Sequence, residues 1–174
     1  MKAISAPFTE ADVRSLKLGE IVCITGPVIT GRDEVHIRAL EYVDEGKPVP
    51  SCLNNAVIYH CGPTTSARMN SLEPRFIREF GIRAIIGKGG MDENVVQAMK
   101  EVGCVYLAAT GGVAVSYAEG LGISEGAEWE DLGMPEALWR FDANRLGPLV
   151  VAIDADGNSL YSMVNEQVRK NRQQ

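Results

Sequence analysis

Apolar residues in the first half of the chain form short runs and one helical pattern. Residues 20–25 and 56–59 are apolar runs of strand length, and each is followed by a glycine–proline pair. We expect Gly26-Pro27 to end the first of these strands. Between them, residues 33–44 carry apolar side chains spaced for one face of a helix. The pattern predicts strand, helix, strand.

The middle of the chain repeats a unit of strand, glycine turn and helix. Strands joined in this way by helices usually run parallel, so the repeat predicts an α/β sheet. The predicted strands are residues 84–86 and 105–108, and the predicted helices are residues 66–80 (broken near Pro74), 92–102 and 113–121.

The last third of the chain changes to a β pattern. Strands are predicted at residues 129–132, 138–141, 149–154 and 159–164. Asp156-Gly157 is a hairpin signal between the last two, and the polar tail, residues 167–174, is expected to fray. We therefore expect one α/β domain over residues 1–174, with a mixed sheet and additional C-terminal β strands.

Composition and charge narrow the choice of partner. The net charge of -6 argues against a general nucleic-acid binder or a binder of anionic membranes, because both partners select a basic surface. No apolar stretch has the length of a membrane span or a signal peptide, so a cytoplasmic protein is expected. The four cysteines include no C-x-x-C pair, and the spacing typical of cluster ligands is absent. We expect no metal ligands in this chain.

Glycine-marked turns follow the predicted strands, and three of them carry or precede a cation. The three cations are Arg32, Arg68 and Lys88. Glycine lets the backbone approach a ligand closely, and the N-terminus of a following helix favours negative charge. Arginine adds a planar fork that matches a carboxylate, and lysine adds a point charge. In an acidic protein, these turns indicate a site for a small anion, and a dicarboxylate would need two separated cations.

Each of these signals also has an ordinary interpretation. The turn at Lys88 is typical of a tight turn with a solvated lysine, and the P-loop pattern is not satisfied. Arg68 could be a first-turn helix residue, and Thr64 and Thr65 could be N-caps.

The two histidines have ordinary interpretations as well. His36 lies one helical turn after Arg32, and the two could form an exposed pair. His60 follows an apolar strand, which favours a structural role.

Taken together, the motifs resemble a known family over nearly the whole chain. The most specific segments are Gly-Pro-Thr-Thr-x-x-Arg-Met and Gly-Lys-Gly-Gly-Met. The chain is similar to the β subunit of class I fumarate hydratase and of L-tartrate dehydratase, a unit that also forms the C-terminal domain of single-chain class I fumarases. The matching segments are residues 24–26, 30–36, 62–69, 86–91, 132–139, 147–149 and 154–158.

The resemblance implies a fold, a reaction and a partner. It implies a swivelling β/β/α-type fold and a hydro-lyase that adds water to, or removes it from, a four-carbon dicarboxylate. The substrate would be fumarate and malate, or tartrate. A larger α subunit would hold a 4Fe–4S cluster through three cysteines and share the active site, in an α2β2 heterotetramer.

The resemblance also implies roles for individual residues. Thr64 would lie where a proton is removed or delivered, and it would need a partner group from the α subunit. His36 would either orient Arg32 or take part in proton transfer. The implied substrate-binding residues are Arg32, Thr65, Arg68 and Lys88.

One segment departs from the family pattern. Members usually carry a longer stretch with a second Gly-Pro before the Gly-Pro-Thr-Thr motif, whereas here residues 56–61 lead directly into Gly62. The departure favours an alternative hypothesis, a non-catalytic module for anion binding or assembly. A stand-alone phosphate binder is a third alternative, which the missing P-loop pattern disfavours.

Overall fold

The computed structural model describes residues 1–62, 64–110, 117 and 119–172. The strands are β1 (Lys2–Ser5), β2 (Ile21–Thr30), β3 (Val57–Tyr59), β4 (Ala84–Gly87), β5 (Val105–Ala109), β6 (Leu121–Glu128) and β7 (Leu138–Ile153). The α-helices are α1 (Glu10–Arg14), α2 (Asp33–Asp44), α3 (Glu73–Phe80), α4 (Glu93–Val102) and α5 (Leu160–Arg172). Short 3-10 helices lie at Ser51–Leu53, Ser66–Met69 and Glu130–Leu132. Among the described residues, no helix is both long and apolar enough to cross a bilayer.

The sheet is mixed and closes on itself through its longest strand. Its order is β1-β2-β3-β4-β5-β7-β6, and β1 to β5 pair in parallel. Strand β7 is antiparallel to β5 near its C-terminal end and to β6 near its N-terminal end. It also pairs with β2, which joins β2, β3, β4, β5 and β7 into a ring. The predicted mixed sheet with additional C-terminal strands is confirmed.

Alternate residues of the strands build two apolar cores. Val57, Ala84 and Leu107 belong to the cluster that also contains the inward residues of β2 and β7. Their neighbours Ile58 and Ile85 belong to a second cluster, which packs under α2, α3 and α4. A strand buried on both faces reads as a continuous apolar run because successive side chains point to opposite faces. The central strands and the helices α2 and α4 lie where the sequence predicts them.

The sequence predicts that strand β2 ends at Gly26-Pro27, and this prediction is wrong. It continues to Thr30, and its pairing with β7 shifts register between Ile24 and Gly26. A Cβ atom at Gly26 would lie 2.4 Å from the carbonyl oxygen of Ala6, so only glycine fits there. The glycine marks an irregularity within the strand, a role that glycine often has in sheets.

Two of the predicted C-terminal strands are helical instead. Residues 130–132 form a 3-10 helix, and residues 160–164 lie in α5, which also includes the tail to Arg172. The turn before α5 is built on Asp154, whose Oδ1 accepts from the backbone N–H of Asp156 and of Asn158 at 3.0 Å. A turn does lie at Asp156-Gly157, as predicted, but it is followed by a helix and not by the second strand of a hairpin.

The remaining predictions differ in detail. The helical stretch 66–80 is in two pieces as predicted, a 3-10 helix at Ser66–Met69 and α3, and Pro74 lies in the first turn of the second piece, where its missing N–H costs nothing. The helix predicted over residues 113–121 lies mostly outside the described residues, and Leu121 already begins β6. Strands β1 and β6 and the short helix α1 were not predicted.

Candidate active site

The glycine turns meet at one edge of the sheet. Strands β2, β3 and β4 are neighbours and run parallel, so the turns that follow them leave the sheet at the same end. These turns carry Arg32, Gly62 and Lys88 respectively. Ligands of open α/β sheets bind at the carboxyl ends of the strands, and the predicted cations lie at that edge.

Contacts between the turns show how closely they approach. The ammonium of Lys88 donates a hydrogen bond to the carbonyl of Gly62. Gly62 has a φ of +117°, and a Cβ atom there would lie 3.4 Å from Nε of Arg32. A Cβ atom at Gly89, in the Lys88 turn, would lie 3.1 Å from Cβ of Thr65. The structure therefore brings Arg32, Thr65 and Lys88 together.

Arg32 forms an ion pair through one of its nitrogens, whereas another nitrogen has no hydrogen-bond partner among the described residues. Its Nη1 lies 3.1 Å from Oε1 of Glu136, and both side chains are about one-fifth exposed. The second oxygen of Glu136 accepts from the backbone N–H of Glu34 at 3.4 Å, so this carboxylate also serves the first turn of α2. Among the described residues, the buried Nε of Arg32 has no hydrogen-bond partner. Glu136 was not predicted as a site residue, although it lies in one of the matched segments.

Arg68 shows the same arrangement. Its Nε donates to Oδ2 of Asp33 at 2.7 Å, and its Nη1 donates to the carbonyl of Thr65 at 2.9 Å. Burial would raise the pKa of Asp33, but the Arg68 guanidinium outweighs it and lowers that pKa, so the pair is ionised. The buried Nη2 of Arg68 has no partner among the described residues. Two guanidinium groups with unsatisfied N–H donors suit an anion.

Thr64 and Thr65 are both exposed. Thr65 precedes the 3-10 helix Ser66–Met69, and its side chain makes no capping hydrogen bond. Thr65 therefore occupies the N-cap position that was considered for it, but its hydroxyl does not cap the helix. Pro63, between Gly62 and the threonines, lies outside the described residues.

The two histidines lie beneath the turns and not at the surface. His36 and His60 are 0% and 1% exposed, so the exposed pair considered for His36 is wrong and the structural interpretation of His60 fits. Nδ1 of His36 lies 2.8 Å from the carbonyl oxygen of Arg32, which matches a role in orienting that residue. Between the imidazoles lies Glu73, which is fully buried and was not predicted. An acidic residue directly before a helix-starting proline was the available signal.

The side chains that could hold a metal ion are these same three. Donor atoms of His36, His60 and Glu73 all lie within 4.8 Å of one another, and no other such group is present in the described part of the chain. The four cysteines are described, unpaired and not gathered into a group. The residues present therefore do not fit an iron–sulfur cluster, which needs several thiolates at one place.

Comparison with known proteins decides the family. The sequence model of the family described as fumarase C-terminus matches residues 2–164. This chain belongs to the fumarase C-terminus family. The resemblance expected from the motifs is confirmed.

Individual relatives of this fumarase C-terminus chain carry hydro-lyase names. A Methanocaldococcus jannaschii protein, provisionally named L(+)-tartrate dehydratase subunit beta, is 41% identical over 92% of this chain and 91% of its own length. L(+)-tartrate dehydratase subunit beta of Escherichia coli K12 is 33% identical, over 91% of this chain and 86% of its own length. A Geobacillus stearothermophilus protein, provisionally named fumarate hydratase class I, is 37% identical over 94% of this chain but only 34% of its own length. The chain is thus similar to whole β subunits and to one part of a longer enzyme.

Proposed function

We propose that this chain is the β-type subunit of a hydro-lyase that adds water to, or removes water from, a four-carbon dicarboxylate. The observation that carries the proposal is the pair of guanidinium groups at one sheet edge, each with a buried N–H that has no partner in the described part of the chain. A dicarboxylate supplies two anionic groups, and each can accept from one such donor. The hydro-lyase names of the relatives support the reaction type.

The cations would hold the substrate and stabilise charge in the reaction. Arg32 and Arg68 are each fixed by a carboxylate, Glu136 or Asp33, so their orientation is set before the substrate arrives. Removal of a proton next to a carboxylate moves negative charge onto that carboxylate. Positioned cations lower the energy of this state because they need no reorganisation when the charge develops. Lys88 adds a third positive charge beside Gly62.

Thr64 would act at the carbon from which the proton leaves. Its hydroxyl is at the surface, where a substrate and a second protein chain can both reach it. A threonine hydroxyl is a weak base by itself and requires a neighbouring basic group. We propose that the larger subunit provides this group, while Thr65 contributes to substrate binding and His36 orients Arg32.

The cofactor and the assembly belong to the same proposal. The name subunit beta, given to two relatives, implies a second chain. We propose that this α subunit holds the 4Fe–4S cluster, since the cysteines of the present chain are scattered, and that the complex is an α2β2 heterotetramer. We place it in the cytoplasm, where thiols stay reduced and unpaired.

Reconstitution would test the proposal. The chain is co-expressed without air with the candidate α subunit, and fumarate absorbance is followed with malate or tartrate as substrate. We expect turnover by the mixture and none by either chain alone. A stable complex with an intact cluster that acts on no diacid would instead support a non-catalytic module. The direct junction of β3 to the Gly62 turn is the feature that favours that alternative.

A further inference from the structure

A carboxylate without surface exposure lies beneath the turns of the candidate site. Oε2 of Glu73 is 3.2 Å from Nε2 of His36 and 3.5 Å from Nε2 of His60, and all three side chains are 0% exposed. Burial of a lone carboxylate is costly unless a positive charge or hydrogen-bond donors accompany it. The two imidazoles are the groups in position to do so, by close approach of their Nε2 atoms rather than by aligned hydrogen bonds, since the Glu73 oxygens have no hydrogen-bond partner among the described residues.

The outer nitrogen of each imidazole reaches a different turn. Nδ1 of His36 lies 2.8 Å from the carbonyl oxygen of Arg32, and a carbonyl can only accept, so this nitrogen carries a hydrogen. Nδ1 of His60 lies 3.1 Å from Oγ of Ser66. Ser66 in turn donates its backbone N–H to the carbonyl of Lys88 at 2.9 Å. Glu73 thereby connects the Arg32 turn with the turn that follows Thr64 and Thr65.

The charges of this group follow from its geometry. Because Nδ1 of His36 donates to Arg32, its Nε2 must also carry a proton to face a carboxylate favourably. Burial lowers the pKa of His36, but the carboxylate of Glu73 outweighs it and raises that pKa above its ordinary value. Burial also raises the pKa of Glu73, and the two imidazoles outweigh it in the opposite direction. These directions favour the charged forms of His36 and Glu73, whereas burial lowers the pKa of His60 to about 4 and favours its neutral form.

We propose that Glu73 and His60 are positioning residues, which fix the distance between the turn of Arg32 and the turn of Thr64 and Thr65 through the buried His36–Glu73–His60 group. The inference rests on the proposed function, because this distance matters only if both turns act on one substrate. Arg32 would bind a carboxylate that Thr64 must approach, and the two residues lie at the starts of two different helices, α2 and the 3-10 helix Ser66–Met69. A shared buried carboxylate fixes their separation, which the exposed side chains cannot do.

A bound metal ion is the alternative explanation for the close approach of these three side chains. Ligand atoms on one tetrahedral zinc ion lie about 3.4 Å apart, given bonds of about 2.0–2.1 Å, and the two distances here are similar. Ligating histidines also donate their outer N–H to a carbonyl or similar group, as His36 does. Metal content therefore has to be measured beside activity.

The variant Glu73→Gln in the assembled complex tests the positioning role. The amide keeps the shape but leaves His36 without its anion, so we expect kcat to fall about 100-fold, the effect of a displacement of about 1 Å at a reacting group. Glu73→Asp, which keeps the charge, should recover part of that loss. Ile77→Val is the matched control, since Ile77 is 0% exposed in the same helix and belongs to the apolar core. It should lower the melting temperature and leave kcat unchanged.

Three outcomes overturn the proposal. One is a Glu73→Gln complex that melts earlier but keeps its kcat, which would make the group merely structural. Another is one equivalent of a transition metal in the purified wild-type chain that Glu73→Gln loses. The third comes from imidazole nitrogen NMR of the wild-type chain at neutral pH, if His36 carries one proton rather than two. The metal and NMR measurements need no turnover, so they remain decisive even if the wild-type complex is inactive and the proposed function fails.

Discussion

The candidate site has two layers that differ in burial and in what their residues contact. The surface layer comprises Arg32, Thr64, Arg68 and Lys88, and each of its guanidinium groups has a donor that no other described residue satisfies. The buried layer comprises His36, His60 and Glu73, which have no exposed side-chain surface. The surface layer contacts mainly backbone carbonyls and carboxylates of neighbouring turns. The buried layer contacts its own members, the ring of Phe76 and, from below, the Arg32 carbonyl and the Ser66 hydroxyl.

This difference matches two proposed roles, in which the surface layer binds the substrate and the buried layer positions the surface layer. The ion pairs of the surface layer are partly exposed to water, which screens them, so we expect each to contribute only about 1 kcal/mol to folding. Breaking a buried ion pair by removing one partner costs about 3–5 kcal/mol. Substitutions in the surface layer should therefore change activity and not stability, whereas substitutions in the buried layer should change both.

The largest effect is expected at Thr64. Thr64→Val removes the hydroxyl from an exposed position, so we expect kcat of the assembled complex to fall about 10²–10⁴-fold, the usual contribution of general acid–base catalysis. The melting temperature should stay the same. Thr64→Ser retains the hydroxyl and should retain most of the rate. Steady-state kinetics and thermal melts of the same preparations check this, and equal losses for valine and serine would remove Thr64 from the mechanism.

A smaller effect is expected when lysine replaces Arg68, because only the planar guanidinium group is lost. Arg68→Lys keeps the charge but not the bidentate geometry, and we expect kcat/KM for the dicarboxylate to fall about 10–100-fold. Arg75→Lys is the matched control, because Arg75 pairs with Asp44 on the exposed surface, with Nη1 2.9 Å from Oδ2. Its kcat/KM should not change. If both lysine variants behave alike, the surface layer does not bind the substrate.

A third comparison uses glycine positions. Ala at Gly62 meets an unfavourable backbone, φ +117°, and places Cβ against the Arg32 guanidinium. Ala at Gly19, φ +83°, meets nothing within 4 Å. Both variants should lose about 1–2 kcal/mol of folding stability, measured by urea unfolding. Only Gly62→Ala should also lose activity, about 10-fold, and an unaffected rate would separate Gly62 from the site.

The smallest expected effect is a change of folding stability with pH, and it does not involve activity. Burial, partly offset by Glu73, lowers the pKa of His60 from 6.5 to about 4, so the unfolded chain binds a proton there that the folded chain excludes. Stability should therefore fall as the pH falls from 6.5 towards 4, by up to about 3 kcal/mol. His36, whose pKa is raised, does not make stability fall as the pH drops below 6.5. Glu73, whose pKa is lowered, reduces stability only as the pH drops below its ordinary pKa of 4.5.

Urea unfolding of the wild type and of His60→Gln at pH 6.5 and 4.5 checks this prediction. The charged neighbours that also face His60 are Arg68 and Asp33, and both are retained in the variant. The slope should be smaller in the variant. An equal slope in both proteins would assign the pH dependence to other groups.

The surface layer could be predicted from the sequence, and the buried layer could not. Arg32 and Lys88 follow apolar runs and glycines, and parallel strands bring such turns to one edge. Glu73 gives no such local signal, because a carboxylate in the first turn of a helix is usually solvated and favourable there. Its burial depends on β3, α2 and α3 packing around it. The same holds for residues 159–164, where the local pattern predicted a strand but residues 160–164 lie in α5, of which only Leu160 and Tyr161 pack against the core.

The most direct test of the account is an arginine footprint of the assembled complex. An arginine-specific dicarbonyl reagent is applied with and without a non-reacting four-carbon dicarboxylate, and modification is followed at each arginine by mass spectrometry. The account predicts that the dicarboxylate slows modification of Arg32 and Arg68 and leaves Arg75 unchanged. Equal rates at Arg32 and Arg68 with and without dicarboxylate, in a complex that turns over its substrate, would contradict it.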